Sequence, residues 1–196
     1  MSYTKKSFSI PEITGLSKEQ IDAHLKLYEG YVKHSNLIIE KIDELSKNKE
    51  ENAYMIAELR RRFGFEFNGM RNHEYYFGHL EGGAQPMPTS QLKEEIDKTF
   101  GSFDNFKSVF KNIALSTRGN GWLILAKDRI KKNLVLLWVS DHEIGQCTDM
   151  LPVFVFDVWE HAYMVDYVPA QKGEYVEAYL NAVNWEKLSE EFANTL

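Results

Sequence analysis

From Ser17 onward the apolar positions keep a helical period. Ile21, Leu25, Tyr28, Val32, Leu37, Ile38 and Ile42 recur with no proline before Lys47, which predicts one long amphipathic helix. Ser17-Lys-Glu-Gln20 reads as its capping box, with Ser17 capping and Gln20 placed to reach back, after an extended start that contains Pro11. A second helical stretch is expected from about Glu51 to Leu80. Ile56, Leu59, Phe63, Phe67, Met70 and Phe77 mark one face of it, and Gly64, Gly69 and Gly78 are candidate points of close packing.

Glu81-Gly-Gly-Ala-Gln-Pro-Met-Pro88 ends that pattern and sets the best boundary, dividing the chain into a helical hairpin at 1–83 and a second unit at 89–196. Beyond it, Ser90 to Phe100 and Phe103 to Leu115 read as two shorter helices split by Gly101. The period then changes. Trp122 to Ala126, Leu134 to Val139 and Val153 to Phe156 are short runs of branched and aromatic residues, expected as three buried strands, and one terminal helix is expected over about Gly173 to Ala193. The fold class that follows is α+β: an N-terminal long helical hairpin and a C-terminal α/β part with a three-stranded antiparallel sheet.

Composition narrows the function. A chain of 196 residues, 43% apolar and 27% charged, can bury a real core, and its 13% aromatic content suits a rigid interior. A net charge of −6 argues against nucleic acid as a partner, and the one dense basic run, Arg60-Arg61-Arg62, reads as a solvated helix face rather than a binding patch. Cys147, the single cysteine, cannot form an intramolecular disulfide. The first thirty residues hold no apolar leader, and no stretch is long enough to span a bilayer, so the expected location is the cytoplasm, away from membranes.

Three of the six histidines, His24, His73 and His161, sit within apolar or aromatic stretches, where a neutral imidazole needs a partner. Asp157 follows Val153-Phe-Val-Phe156 directly, which puts a carboxylate at the inner end of a hydrophobic strand. Such a group neutralises, pairs or binds a cation. By itself Asp157-x-x-x-His161 fits structural pairing better than metal ligation.

The wider stretch is more specific. Asp157-Val-Trp-Glu-His-Ala-Tyr163 resembles the signature of the iron/manganese superoxide dismutase family, and four further segments agree in order: Asn72-His73-Glu-Tyr-Tyr76, Gly101-Ser-Phe-Asp-Asn-Phe-Lys107, Gly119-Asn-Gly-Trp122 and Val183-Asn-Trp185. The resemblance implies one iron or manganese ion per subunit, held by His24, His73, Asp157 and His161, with a solvent molecule completing a trigonal-bipyramidal site. It also implies catalytic roles for Tyr31, as a gateway phenol beside the metal, and for His142, as the residue that hydrogen-bonds the bound solvent. Trp122, Trp159, Tyr163, Tyr76 and Gly69 would surround them, and Glu160 would reach a ligand histidine of a partner in a homodimer or tetramer. The expected reaction is dismutation of superoxide to dioxygen and hydrogen peroxide. Glycine at Gly69, where other members carry glutamine, leans toward manganese.

Two departures stand out. The family spaces its first ligand and its tyrosine eight residues apart with a histidine midway, whereas His24 and Tyr31 are seven apart and Tyr28 takes the middle place. Seven residues still return to within about 20° of the same helix face, although holding Tyr31 in register would instead put Ala23 at the ligand position. The arginine expected shortly after the signature is absent, leaving Val168, Gln171 and the cation Lys172 in that region. His34 and His79 read as surface or packing residues. The competing expectations are a non-catalytic relative on the same fold and a two-histidine, one-carboxylate oxygenase, which a fourth protein ligand disfavours.

Overall fold

The computed structural model of the chain describes residues 2–194. Helix α1 (Lys18–Leu45) and helix α2 (Ala53–Gly78) pack along each other through a short connection. On α1 the buried positions are Gln20, Ile21, His24, Tyr28, Val32, Ser35 and Ile38, a stripe that returns every three or four residues. Ala23 is exposed, so the seven-residue interval turns His24 inward. The cap differs from expectation in one half. Ser17 Oγ accepts from Gln20 N at 3.0 Å, but the Gln20 side chain is wholly buried and engages the far end of the molecule instead of its own helix.

The N-terminal arm is strapped across this hairpin. Tyr3 and Asn36 exchange two hydrogen bonds, at 2.7 and 2.9 Å, and Lys6 N donates to the Tyr28 hydroxyl at 2.9 Å. That hydroxyl in turn donates to the buried Glu74 at 3.1 Å. Burial, opposed by the bond from Lys6, pushes the Tyr28 phenol up to about 12. Tyr28 therefore fastens the arm and is not a surface group.

Helices α3 (Gln91–Phe100) and α4 (Phe103–Ser116) are capped by Ser90 and Ser102 and separated by Gly101 at φ 87°. They lead into strands β1 (Gly121–Asp128), β2 (Leu134–Ser140) and β3 (Met150–Asp157). The sheet is antiparallel with order β2-β1-β3, and β1 is buried along nearly its whole length, as a central strand covered on both faces must be. Its register slips between Leu125 and Ala126, opposite Pro152, where edge strand β3 cannot supply a backbone donor. Gly121 is required where it stands: a Cβ there would lie 2.3 Å from the Val139 carbonyl oxygen.

The single terminal helix expected from the sequence is two helices, α5 (Lys172–Ala182) and α6 (Trp185–Ala193). Val183 is extended, and the Asn184 side chain accepts from Lys187 N at 3.0 Å, so asparagine acts here as a new cap. Asn184 also ties α6 to the end of α2, donating from its backbone N to His79 O at 2.7 Å and from Nδ2 to Glu81 O at 2.9 Å. Between these layers lies an aromatic core that includes Tyr76, Phe77, Phe106, Phe110, Phe154, Phe156, Tyr175 and Tyr179, all fully buried. Among the described residues no helix is long and apolar enough to cross a membrane.

His79 joins α2 to the sheet. Val155 N donates to its Nε2 at 3.2 Å, and burial holds its pKa down at about 3. An unfolded histidine titrates near 6.5, so the unfolded chain binds the extra proton as pH falls from there toward 3, and the folded state loses stability over that window. His79→Gln retains an acceptor but does not titrate. The acid-induced loss of stability between pH 7 and pH 5 should therefore be about 2 kcal/mol smaller in the variant, measured by urea unfolding at each pH.

Candidate metal centre

The end of the sheet gathers the site. Trp122 pairs with Asp157 across β1 and β3, and with Val139 across β1 and β2. Just past β2 the chain turns tightly: Ser140 and Ile144 exchange backbone hydrogen bonds at 2.8 and 3.1 Å, and Asp141 sits at φ 51°, a left-handed position that aspartate tolerates. That turn presents His142 beside Trp122. After β3, Trp159 N donates to Asp157 Oδ1 at 2.8 Å, and a 3₁₀ turn over Glu160–Ala162 carries His161 back over Asp157. Gln20 fixes this loop from α1, donating to His161 O at 2.8 Å and accepting from Val165 N at 2.9 Å.

With Oδ1 engaged, Oδ2 of Asp157 faces three imidazoles. It lies 3.0 Å from His24 Nε2, 3.3 Å from His161 Nε2 and 3.8 Å from His73 Nε2. His24, His73 and Asp157 are fully buried, and one ligand atom from each of the four residues falls within 4.8 Å of the others. His73 is the telling member. Its Nδ1 is 2.6 Å from the Gly69 carbonyl oxygen, which can only accept, so Nδ1 carries the proton and the Nε2 lone pair points into the cluster. That Nε2 is buried with no hydrogen-bond partner, as is His24 Nδ1. A lone pair aimed at a carboxylate oxygen is repulsive unless a cation lies between them.

The electrostatics agree. Burial lowers the His24 pKa despite its contact with Asp157, and burial and the His24 charge hold His73 well below the ordinary histidine range. Burial alone would raise the Asp157 carboxyl, yet His161 and His24 hold it well below the usual carboxylate range. Neutral imidazoles at His24 and His73 beside an ionised Asp157 are protonation states that a metal needs. Ligand atoms about 2.1 Å from one ion stand at most about 4 Å apart, so the four side chains need only small adjustments to share one. Three nitrogens and one anionic oxygen suit iron and manganese.

Beside this cluster lies a hydrogen-bonded relay. Trp122 Nε1, a donor only, is 2.8 Å from His142 Nδ1, so Nδ1 accepts. Burial lowers the His142 pKa to about 4, which leaves the ring neutral with its proton on Nε2, donated to the Tyr31 hydroxyl at 2.8 Å. The Tyr31 proton is therefore free for another acceptor. Burial, with the Asp157 and Glu66 charges, raises the Tyr31 pKa well above its ordinary value. The Tyr31 ring is 5.1 Å from the His73 ring, and it lies against Gly69, where a Cβ would fall 2.7 Å from the ring.

The other expected residues fall into place around these. Trp159 stacks on His142 at 5.1 Å and on His161 at 5.3 Å. The Tyr76 ring is 4.9 Å from His24, and Tyr163 stacks on Tyr175, whose hydroxyl donates to the Asp157 carbonyl at 2.8 Å. Glu160 is exposed. Lys172, the cation expected in this region, is half-buried and donates to the Thr117 carbonyl at 3.2 Å. Gln20, Phe65 and Tyr175 are contacts of the site that sequence reasoning missed. Phe65, edge-on to His142 at 4.5 Å, was legible only as the residue four before Gly69.

The fold and the donor set are those of a metalloprotein class: three imidazoles and one carboxylate, drawn from a helical hairpin and a three-stranded sheet, lie close enough together to hold one ion. Residues 88–191 match the family described as iron/manganese superoxide dismutases, C-terminal domain. The chain is 31% identical to an iron superoxide dismutase of Methanothermobacter thermautotrophicus, over 98% of both chains. It is 32% identical to an iron superoxide dismutase of Aquifex aeolicus, over 94% of this chain and 87% of that one. A manganese superoxide dismutase of Mycobacterium leprae is also 32% identical, over 83% of this chain and 77% of its own. This chain belongs to the iron/manganese superoxide dismutase family.

Proposed function

We propose that the chain is a superoxide dismutase whose single iron or manganese ion is held by His24 Nε2, His73 Nε2, His161 Nε2 and Asp157 Oδ2. The observation that carries this reading is the convergence of three imidazole nitrogens on one buried carboxylate oxygen, with the His73 lone pair otherwise unpartnered. Bound there, the ion would supply the one-electron redox chemistry by which two superoxide anions and two protons become dioxygen and hydrogen peroxide. A non-catalytic role is not favoured, because every ligand type is present and converges.

The protein's own groups bind, orient and move protons. Asp157 supplies the anionic charge, and its Oδ1 bond to Trp159 N sets which oxygen faces the ion. Gln20 and Tyr175 hold the two ends of the Asp157–His161 loop. Tyr31 stays protonated far above neutral pH, so its hydroxyl can donate toward the site while His142 and Trp122 hold its oxygen. Residues 1–83 and 89–196 act as two units that share the ion. Exposed Glu160, with exposed Met164 and Val165 close by in sequence, supports contact with a second copy in a dimer or tetramer. A single, exposed and unpaired cysteine fits an antioxidant enzyme of the reducing cytoplasm.

Elemental analysis of the purified protein beside a dismutation assay tests this reading, with iron or manganese near one per chain expected. Tyr31→Phe should keep the metal and lower turnover about 10- to 100-fold. A protein that takes up neither metal and shows no activity after reconstitution contradicts it.

A further inference from the structure

The substrate is an anion and the chain carries a net charge of −6, so some local cation must offset the repulsion at the mouth. Lys172 is directed at the Thr117 carbonyl rather than at Tyr31 or His142. Arg62 on α2 can supply that charge. Its guanidinium carbon sits 4.0 Å over the Phe65 ring, whose other neighbours are His142 at 4.5 Å and Tyr31 at 6.2 Å. Nε and Nη2 both bond Glu66 Oε1, at 2.9 and 2.8 Å, so Nη1 takes no part in that pair, and the side chain is 51% exposed. The stacking and the pairing hold a long flexible side chain in one place beside the relay.

We infer that Arg62 is the cation that draws superoxide to the half-buried Tyr31 and Phe65 rings that cover buried His142, and that Glu66 sets how much of its charge the substrate meets. This rests on the dismutase reading above. The Arg62 charge is felt at both groups of the relay, lowering Tyr31 and His142 alike, while the Glu66 charge opposes it at Tyr31. Glu143, next to His142, reaches across to Gly64 on α2 and adds a second carboxylate to the same rim. Opposed charges therefore meet beside Tyr31 and His142, and removing one or the other member of the Arg62–Glu66 pair should shift the local field in opposite directions.

The test compares wild type, Arg62→Gln, Arg62→Lys and Glu66→Gln at matched metal content, from low to high ionic strength. It reads kcat and kcat/KM, and separately the affinity for azide, a small monoanion, by absorbance titration. At low salt, Arg62→Gln should lower kcat/KM about three- to tenfold, with the loss on kcat/KM rather than kcat, and the gap should close at high salt as charges are screened. Arg62→Lys should recover most of the loss, Glu66→Gln should raise kcat/KM, and azide affinity should move in the same order. Equal salt dependence and equal azide affinity in wild type and Arg62→Gln would overturn the inference, as would a loss confined to kcat that lysine does not rescue. A metal-loaded wild type without dismutation would refute the functional reading instead, and azide affinity would still report on Arg62.

Discussion

Asp157→Asn is expected to purify folded, with little or no metal and no measurable dismutation. Asparagine keeps an oxygen to accept from Trp159 N, so the turn after β3 and the pairing of Asp157 with Trp122 across the sheet survive. What is lost is the only anionic member of the cluster, the oxygen on which three imidazole nitrogens converge. Changes to groups that merely orient a ligand cost 10- to 100-fold in metal affinity, so loss of this ligand should cost at least about 100-fold. Metal per chain and circular dichroism on the same sample separate the outcomes. Full metal and activity in Asp157→Asn would show that the carboxylate is structural.

Gly69→Ala should produce the second large effect, through a residue with no chemistry of its own. A Cβ there would stand 2.7, 2.9 and 3.0 Å from three atoms of the Tyr31 ring, including Cγ, so the ring cannot yield by moving only its tip. Displacement would break the 2.8 Å bond between Tyr31 and His142. The expected outcome is about 1–3 kcal/mol of destabilisation from overpacking. Loss of the relay should add a fall of about 10- to 100-fold in turnover at full metal content. Gly30→Ala is the control, since nothing lies within 4 Å of a Cβ there, and it should match wild type in activity. Unchanged turnover in Gly69→Ala would mean that the position of Tyr31 is not limiting.

Much of this architecture was legible because its local rules agree. The α1 stripe, the serine cap at Ser17, the break at Gly101 and the run Val153 to Phe156 each announce their element. The terminal helix misled for a physical reason: its apolar period continues across Val183 and Asn184, and only the bonds of Asn184 to His79, Glu81 and Lys187 show the chain breaking to cap α6. Gln20 misled in the same way, a local capping partner by spacing but recruited by a loop more than a hundred residues away. The shortened interval from His24 to Tyr31 left two registers open in sequence. In the structure His24 lies on the buried stripe of α1, Tyr31 is half-buried beside it and reaches His142, and Tyr28 between them is turned to the N-terminal arm. Arg62 was hidden inside a run of three arginines, where only the packing on Phe65 distinguishes it.

The most direct measurement is anomalous scattering at the iron and manganese absorption edges from crystals of the metal-loaded protein. A single peak enclosed by His24 Nε2, His73 Nε2, His161 Nε2 and Asp157 Oδ2 is the predicted result. A peak elsewhere, or loaded protein with no peak among these four residues, would contradict it.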